Sequence, residues 1–194
     1  MHLNTGEPAM SLNGDGRIDT HEALRMLDLA LRTGGASDIA LSIDNNRTPV
    51  EGESKRTYSD GKRRIDLLGY DMHAGLRVAP GVSTPALVLS HLHVVRHSDA
   101  ATAPIASLLR SQSTNLTLTL SIYRAGGDNI QDTEPMLNFT FEGARVAEIA
   151  LLTGGAVGVP SEIIRFGYRV MKIESAQQLA TGLRGPVNTC VLTA

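Results

Sequence analysis

Arg96-His97-Ser98-Asp99-Ala100-Ala101-Thr102-Ala103-Pro104-Ile105-Ala106-Ser107-Leu108-Leu109 is followed closely by Leu116-Thr117-Leu118-Thr119-Leu120-Ser121-Ile122-Tyr123-Arg124-Ala125-Gly126-Gly127. The second half reads as a strand buried on one side, because apolar residues at 116, 118, 120 and 122 alternate with polar ones and the run ends in a glycine turn. The first half predicts a short helix. Asp99 or Thr102 can cap it, Pro104 sits early where its missing N–H costs nothing, and Ile105, Leu108 and Leu109 form an apolar stripe.

Working outward, the same period of two recurs. Ile39, Leu41 and Ile43 alternate with Ala40 and Ser42. Ile65 and Leu67 set a further strand, and Ala86 to Val95 another. Leu137, Phe139 and Phe141 alternate with Asn138, Thr140 and Glu142, with Ile149 and Leu151 continuing that arm after Gly143, and Ile164, Phe166, Tyr168 and Val170 close the series. Short strands with turn punctuation and a single helix predict a mainly β, antiparallel sandwich or barrel with the helix against one end or flank. Gly126-Gly127 and Gly154-Gly155 read as hairpin turns. Residues 44–62 read as a long polar connection, 71–84 as an irregular loop around Gly75, Pro80 and Gly81, and 175–194 as an irregular tail with one strand near Thr189 to Leu192.

Composition narrows the function classes. The 194 residues carry a formal net charge of -2 and are 42% hydrophobic, which suits one domain plus an appendage. Lysine and arginine are scattered, with Lys62-Arg63-Arg64 the nearest approach to a basic stripe, so nucleic acid is not an expected partner. Cys190 is the one cysteine, which removes any intramolecular disulfide. No apolar run reaches the ~20 residues that span a bilayer. Met1 to Met10 lacks the basic start and apolar stretch of a cleaved signal, so any export is expected to use another route. His91 and His93 share a strand face with His97 nearby, but no carboxylate or cysteine stands at metal-site spacing, so they read as residues of a solvated face. A nucleophile elbow and the lysine of a phosphate loop are missing too, and an enzyme is not expected.

The N-terminus forms a unit of its own. Ser11-Leu12-Asn13-Gly14-Asp15-Gly16-Arg17-Ile18-Asp19-Thr20-His21-Glu22 has the spacing of an EF-hand calcium loop. Asn13 and Asp15 stand at the third and fifth positions, Gly16 at the sixth, Ile18 at the eighth and Glu22 at the twelfth. Arg17 would offer its backbone carbonyl and Asp19 a direct or water-mediated oxygen, while Ser11 replaces the usual aspartate with a weaker, neutral donor. A helix over His21 to Arg32 would align Leu24, Leu27 and Leu31, and the Gly34-Gly35 pair would end it. Residues 1–35 thus resemble half of a dockerin, whereas a dockerin uses two such loops, and residues 36–194 form the β domain. The alternative is that Asn13-Gly14-Asp15-Gly16 is only a turn and Glu22 only helps start the helix.

Ordered along the chain, Gly52-Glu53-Ser54, the strand around Ile65 to Tyr70, the approach to Asp99, the Pro104 helix and Arg124-Ala125-Gly126-Gly127 resemble the haemolysin-coregulated protein (Hcp) family of bacterial type VI secretion, over roughly residues 38–175. That resemblance implies an Hcp-like antiparallel β-barrel, homohexameric rings around an open pore, and rings stacked into a hollow tube, either that of a type VI secretion system or a related free-standing extracellular one. It implies partners among sheath or effector proteins, no membrane insertion and no reaction. In the family the long connections carry ring-to-ring contacts, which here points to residues 44–62 and 71–84, the latter shorter than in many relatives. Two other readings stay open. One is a calcium-dependent binding module using the dockerin-like half. The other is a secreted effector on the same barrel, although only residues 176–194 would remain for an added activity.

Overall fold

The computed structural model describes residues 25, 37–56, 58, 60–78, 81, 83–124, 134–154, 157–178 and 184–193. Among these, twelve strands and one short helix alternate in the order β1 (Ser37–Asn45), β2 (Thr48–Val50), β3 (Ile65–Leu67), β4 (Gly69–Asp71), β5 (Ala74–Arg77), β6 (Ala86–Leu89), β7 (Leu92–His97), α1 (Thr102–Arg110), β8 (Leu116–Arg124), β9 (Leu137–Gly154), β10 (Val157–Gly167), β11 (Val170–Gln178) and β12 (Arg184–Thr193). Every pairing is antiparallel.

The hydrogen-bonded path runs β1–β8–β9–β10–β7–β4, and β3 pairs back onto β1. Because β3 and β4 are separated only by Leu68, whose N–H donates to the Val95 carbonyl at 2.8 Å, residues 65–71 form one bent segment that joins β1 to β7 and closes a barrel. Closure removes the exposed edges an open sheet would present. The long β9 makes this possible. Its first part lies between β8 and β11, and its second part pairs with β10. Gly143, at φ +59°, sits where the pairing changes over.

Alternation in the sequence becomes sidedness in the barrel. Leu41 and Ile43, Ile65 and Leu67, Leu92 and Val94, Leu116 to Ile122 at every second residue, Phe139 and Phe141, and Ile164 and Phe166 all enter one buried cluster. The helix contributes Ile105 and Leu108, with Ala101 just before it, to that same cluster. Phe141 and Tyr168 meet edge to face at 4.8 Å between ring centres.

Several expectations need correction. The connection after β1 is not one long loop: Asn46 and Arg47, both at positive φ, make a tight turn into β2. Within the 71–84 stretch expected to be irregular, Ala74–Arg77 is strand β5, paired antiparallel with β6 (Ala86–Leu89). The strand expected across Ala86 to Val95 is broken at Ser90-His91, where β6 turns away from the barrel and β7 joins it. At the C-terminus the strand expected near Thr189 to Leu192 is present but longer, as the ten-residue β12 on β11, and residues 175–178 belong to β11, so less of this stretch is irregular than expected. The residue pair at 154–155 agrees better with expectation, since Gly154 pairs with Val157 across a two-residue connection. The expected turn at Gly126-Gly127 lies outside the described residues.

Candidate assembly surface

Residues 51–64 leave β2 and return to β3 across the outer face of the barrel. Gly52 is buried where the segment crosses itself, and a Cβ there would stand 2.4 Å from the Arg64 carbonyl oxygen, so only glycine fits. Its neighbours are tied in turn. The Glu53 N–H donates to Asp99 Oδ2 at 3.2 Å, and the Ser54 N–H donates to the Arg64 carbonyl at 3.1 Å. The Ser54 hydroxyl lies 3.1 Å from the Tyr58 hydroxyl and accepts the Arg56 N–H. The Gly-Glu-Ser run is therefore a three-point anchor for the loop.

Beyond the anchor, two tyrosines and two arginines interleave. Tyr58 and Tyr123 pack at 5.9 Å, forming with Ala40 a small cluster on the barrel's outer face. The Arg56 guanidinium lies 4.0 Å over the Tyr123 ring and pairs with Asp38 at 2.5 Å. Arg64 lies 4.2 Å over the Tyr58 ring, donates to the Tyr123 hydroxyl at 2.7 Å and pairs with Asp60 at 3.3 Å. Burial pushes the Tyr58 phenol above its ordinary range, so at neutral pH it is a hydrogen-bonding group and not a base. Two clefts flank this stack. One, of about 440 Å³, is lined by Ser54, Lys55, Arg56, Tyr58, Lys62 and Arg63 among others, and one of about 490 Å³ by Asp38, Asp66, Arg56 and Tyr58 among others.

At the barrel end beside α1, Arg96 and Glu162 are withdrawn from solvent with Nε and Oε1 2.6 Å apart. The contact is a close charge pair rather than a linear hydrogen bond. Arg96 also donates to Asp99 and, at 3.3 Å, to the Thr102 hydroxyl. Burial raises the Glu162 carboxyl, and the Arg96 cation works against that rise. Asp99 accepts the Ala101 N–H at 2.7 Å, so it orients the chain into α1 while its other oxygen holds Glu53. Asp99 thus caps from outside the helix, and no side chain bonds from the position just before it.

Several large apolar side chains face solvent. Leu76, Val78 and Val88 stand on or beside the β5–β6 hairpin, Leu151 and Val159 near the β9–β10 turn, and Val187 and Val191 on β12. Among the described residues β12 pairs only with β11, so its outer edge is open.

The histidine reading needs correction. His93 is only 1% exposed, and its cross-strand neighbours are Asp71 on β4 and Arg165 on β10, so its face is not solvated there. Burial lowers the His93 and His91 imidazoles below the ordinary value. The described residues contain no group of three His, Cys, Asp or Glu able to hold a metal ion. Ser11, Asn13, Asp15, Arg17, Asp19 and Glu22 all lie outside the described residues, as do Leu24, Leu27 and Leu31, while Arg25 is helical and exposed. Charge alone marked Lys62-Arg63-Arg64 in the sequence. The partnership of Arg64 with Tyr123, 59 positions away, leaves no local signal. No described helix is long and apolar enough to cross a membrane.

No family model matches this sequence, and no curated protein does. Solved structures do. A type six secretion system protein is similar at 27% identity and TM-score 0.66, covering 81% of this chain and 96% of the other. Hcp1 from Salmonella typhimurium is similar at 20% identity and TM-score 0.59, over 82% of this chain and 95% of the other. Secreted protein Hcp3 from Pseudomonas aeruginosa is similar at 14% identity and TM-score 0.57, over 81% and 98%. The closed antiparallel β fold with one short described helix is the Hcp-like fold, shared with these Hcp and type six secretion system structures.

Proposed function

We propose that this chain is the structural subunit of a secretion tube, in which copies join head to tail into six-membered rings and the rings stack around a hollow lumen. The observation that supports it is the similarity to a type six secretion system protein across 96% of that protein's length, which leaves almost none of its fold unaccounted for. A closing head-to-tail contact generates a ring when its rotation returns to the start. The open β12 edge and the solvent-facing Leu76, Val78 and Val88 are surfaces that such contacts would cover. On this reading the chain catalyses no reaction, its partners are other copies and the sheath or effector proteins of the same apparatus, and it leaves the producing cell as assembled tube. The test is sedimentation velocity at micromolar protein together with negative-stain microscopy. Rings or tubes are expected; a protein that stays monomeric across that range refutes the reading.

A further inference from the structure

A glycine leaves a gap on the outer face of the barrel. Leu92 on β7, Phe166 on β10 and Val146 on β9 all enter the core, so their chain neighbours His91, Gly167 and Arg145 face outward as one row across three strands. Gly167 has no side chain to fill the middle of that row. A Cβ there would lie 3.6 Å from Arg145 Nε and 3.7 Å from His91 Nε2, so a guanidinium and an imidazole nitrogen converge on the space that the glycine leaves. His91 and Gly167 are part-exposed and Arg145 is exposed, so this notch opens to solvent.

The strand register is irregular at the same place. Arg165 pairs with Glu148 and Phe166 with Val146, so Ala147 is an extra residue in β9, a bulge that brings Arg145 and Glu148 to the same face. Charge around the notch is unevenly matched. On the neighbouring row Arg165 pairs with Glu148 at 3.1 Å, while Asp71 on β4 faces His73 at 3.5 Å and is the cross-strand partner of the buried His93. Arg145 makes no ion pair among the described residues. Burial, and then the Arg165 and Arg145 cations, hold the His91 imidazole below its ordinary value, with no carboxylate opposing them.

We propose that the Gly167 notch is a binding site for the phosphate group of a small molecule, held between the Arg145 guanidinium and the His91 imidazole. Two nitrogens converging on one point suit an acceptor that carries several oxygens on one centre, and the bond from a guanidinium is charge-assisted. The imidazole donates when Nε2 carries its proton. An anion in the notch offsets the positive field at His91, so protonation of that ring becomes more favourable with the ion bound. Glycine is the residue that keeps the place open, because a larger side chain at 167 would stand where the ligand sits. The site lies within one copy and is independent of the ring reading.

The experiment titrates the full-length protein with inorganic phosphate at low ionic strength, by calorimetry and by NMR of the histidine rings. One saturable site is expected, with a dissociation constant of about 1 mM or tighter. Arg145→Gln and Gly167→Val should each weaken it at least about tenfold, the first by removing a charged donor and the second by filling the notch. An unchanged melting midpoint without phosphate establishes that a variant is folded, and the exposed Arg145→Gln serves if Gly167→Val is not. The His91 resonances should move on titration. Sulfate, whose charge is constant across the range, should bind more tightly at about pH 6 than at about pH 8 in the wild type but not in His91→Gln. Phenyl phosphate separates the sources: tighter binding than inorganic phosphate assigns the notch to a phosphate monoester, and weaker binding assigns it to the free ion. Phosphate binding that is unaltered in both folded variants overturns the proposal, since the ion then sits elsewhere. So does an absence of saturable binding up to about 10 mM phosphate with the His91 resonances unmoved. Neither result touches the ring reading, whose test is the oligomeric state.

Discussion

Arg96 and Glu162 sit opposite each other on β7 and β10, both essentially without solvent, with their charged groups 2.6 Å apart at the barrel end beside α1. Asp99 joins the same guanidinium, which links the pair to the start of the helix and, through Glu53, to the outer loop. Losing Arg96 would strand two carboxylates. Arg96→Met should therefore cost about 3–5 kcal/mol, the usual penalty for breaking a buried pair. Glu162 already has a raised carboxyl pKa from burial, and loss of the cation raises it further. A carboxyl whose folded pKa exceeds its unfolded value destabilises the fold as pH rises between the two. The variant should then regain stability towards acid, and adding Glu162→Leu should restore most of it at neutral pH. Urea denaturation across pH 5–8 tests this; an Arg96→Met variant as stable as the wild type contradicts it.

His93 gives the opposite sign. Its folded imidazole pKa is depressed by burial, only partly offset by Asp71, with His91 and Arg165 adding to the depression and Glu148 opposing it. Below the ordinary value of 6.5 the unfolded chain takes up a proton that the folded chain refuses, so stability falls with pH through that window. His93→Gln should flatten the decline between pH 7 and 5 relative to the wild type. His91, depressed for the same reason, contributes to the residual slope, with the raised Glu162 carboxyl opposing it. Identical slopes for variant and wild type would remove His93 from the account.

Gly52→Ala tests the anchor. The added methyl would meet backbone at 2.4–2.9 Å, so the loop or the start of β3 must move. A strain cost of about 1–3 kcal/mol is expected. The Glu53–Asp99 and Ser54–Arg64 bonds should loosen with it, and trypsin should cut faster after Lys55 and Arg56. Cleavage and melting unchanged from the wild type would show that the loop is held by other means.

What the sequence made legible follows from burial on one side. β8 alternates cleanly because Leu116, Leu118, Leu120 and Ile122 all face the core while Thr117 and Thr119 do not. The same holds for β1 and for the start of β9. Where burial has no period, the pattern weakens: β5 is exposed at every position and did not announce itself as a strand, and β12, exposed at most positions, was expected only near Thr189 to Leu192. The Asn46-Arg47 turn was hidden differently, since an arginine at φ 70° carries none of the glycine signature that marks such turns. Gly-Glu-Ser was visible as a turn, yet its purpose depends on Arg64, Tyr58 and Asp99, which only the folded chain brings together. His93 misled because a period of two assigns a face but not what lies over that face.

Residues 11–22 are proposed as a calcium loop on the chemistry of their sequence alone. Asp15, Asp19 and Glu22 provide carboxylates at the fifth, ninth and twelfth positions, Asn13 an amide oxygen at the third, and Gly16 the sharp turn. Ser11 in first position removes one ligand charge, so affinity should fall towards roughly 10⁻⁴ M or weaker, the range of low-affinity loops. At a tenfold excess of free calcium over that constant, binding to the folded form alone adds about 1.4 kcal/mol. The melting midpoint should accordingly be higher by a few degrees in millimolar calcium than in chelator, and Asp15→Ala with Glu22→Ala should abolish the difference. Ser11→Asp should do the reverse, restoring the missing charge and tightening binding about tenfold by calorimetric titration. Equal midpoints in chelator and calcium, with no heat of binding for either the wild type or Ser11→Asp, would reduce residues 11–22 to a turn that starts a helix.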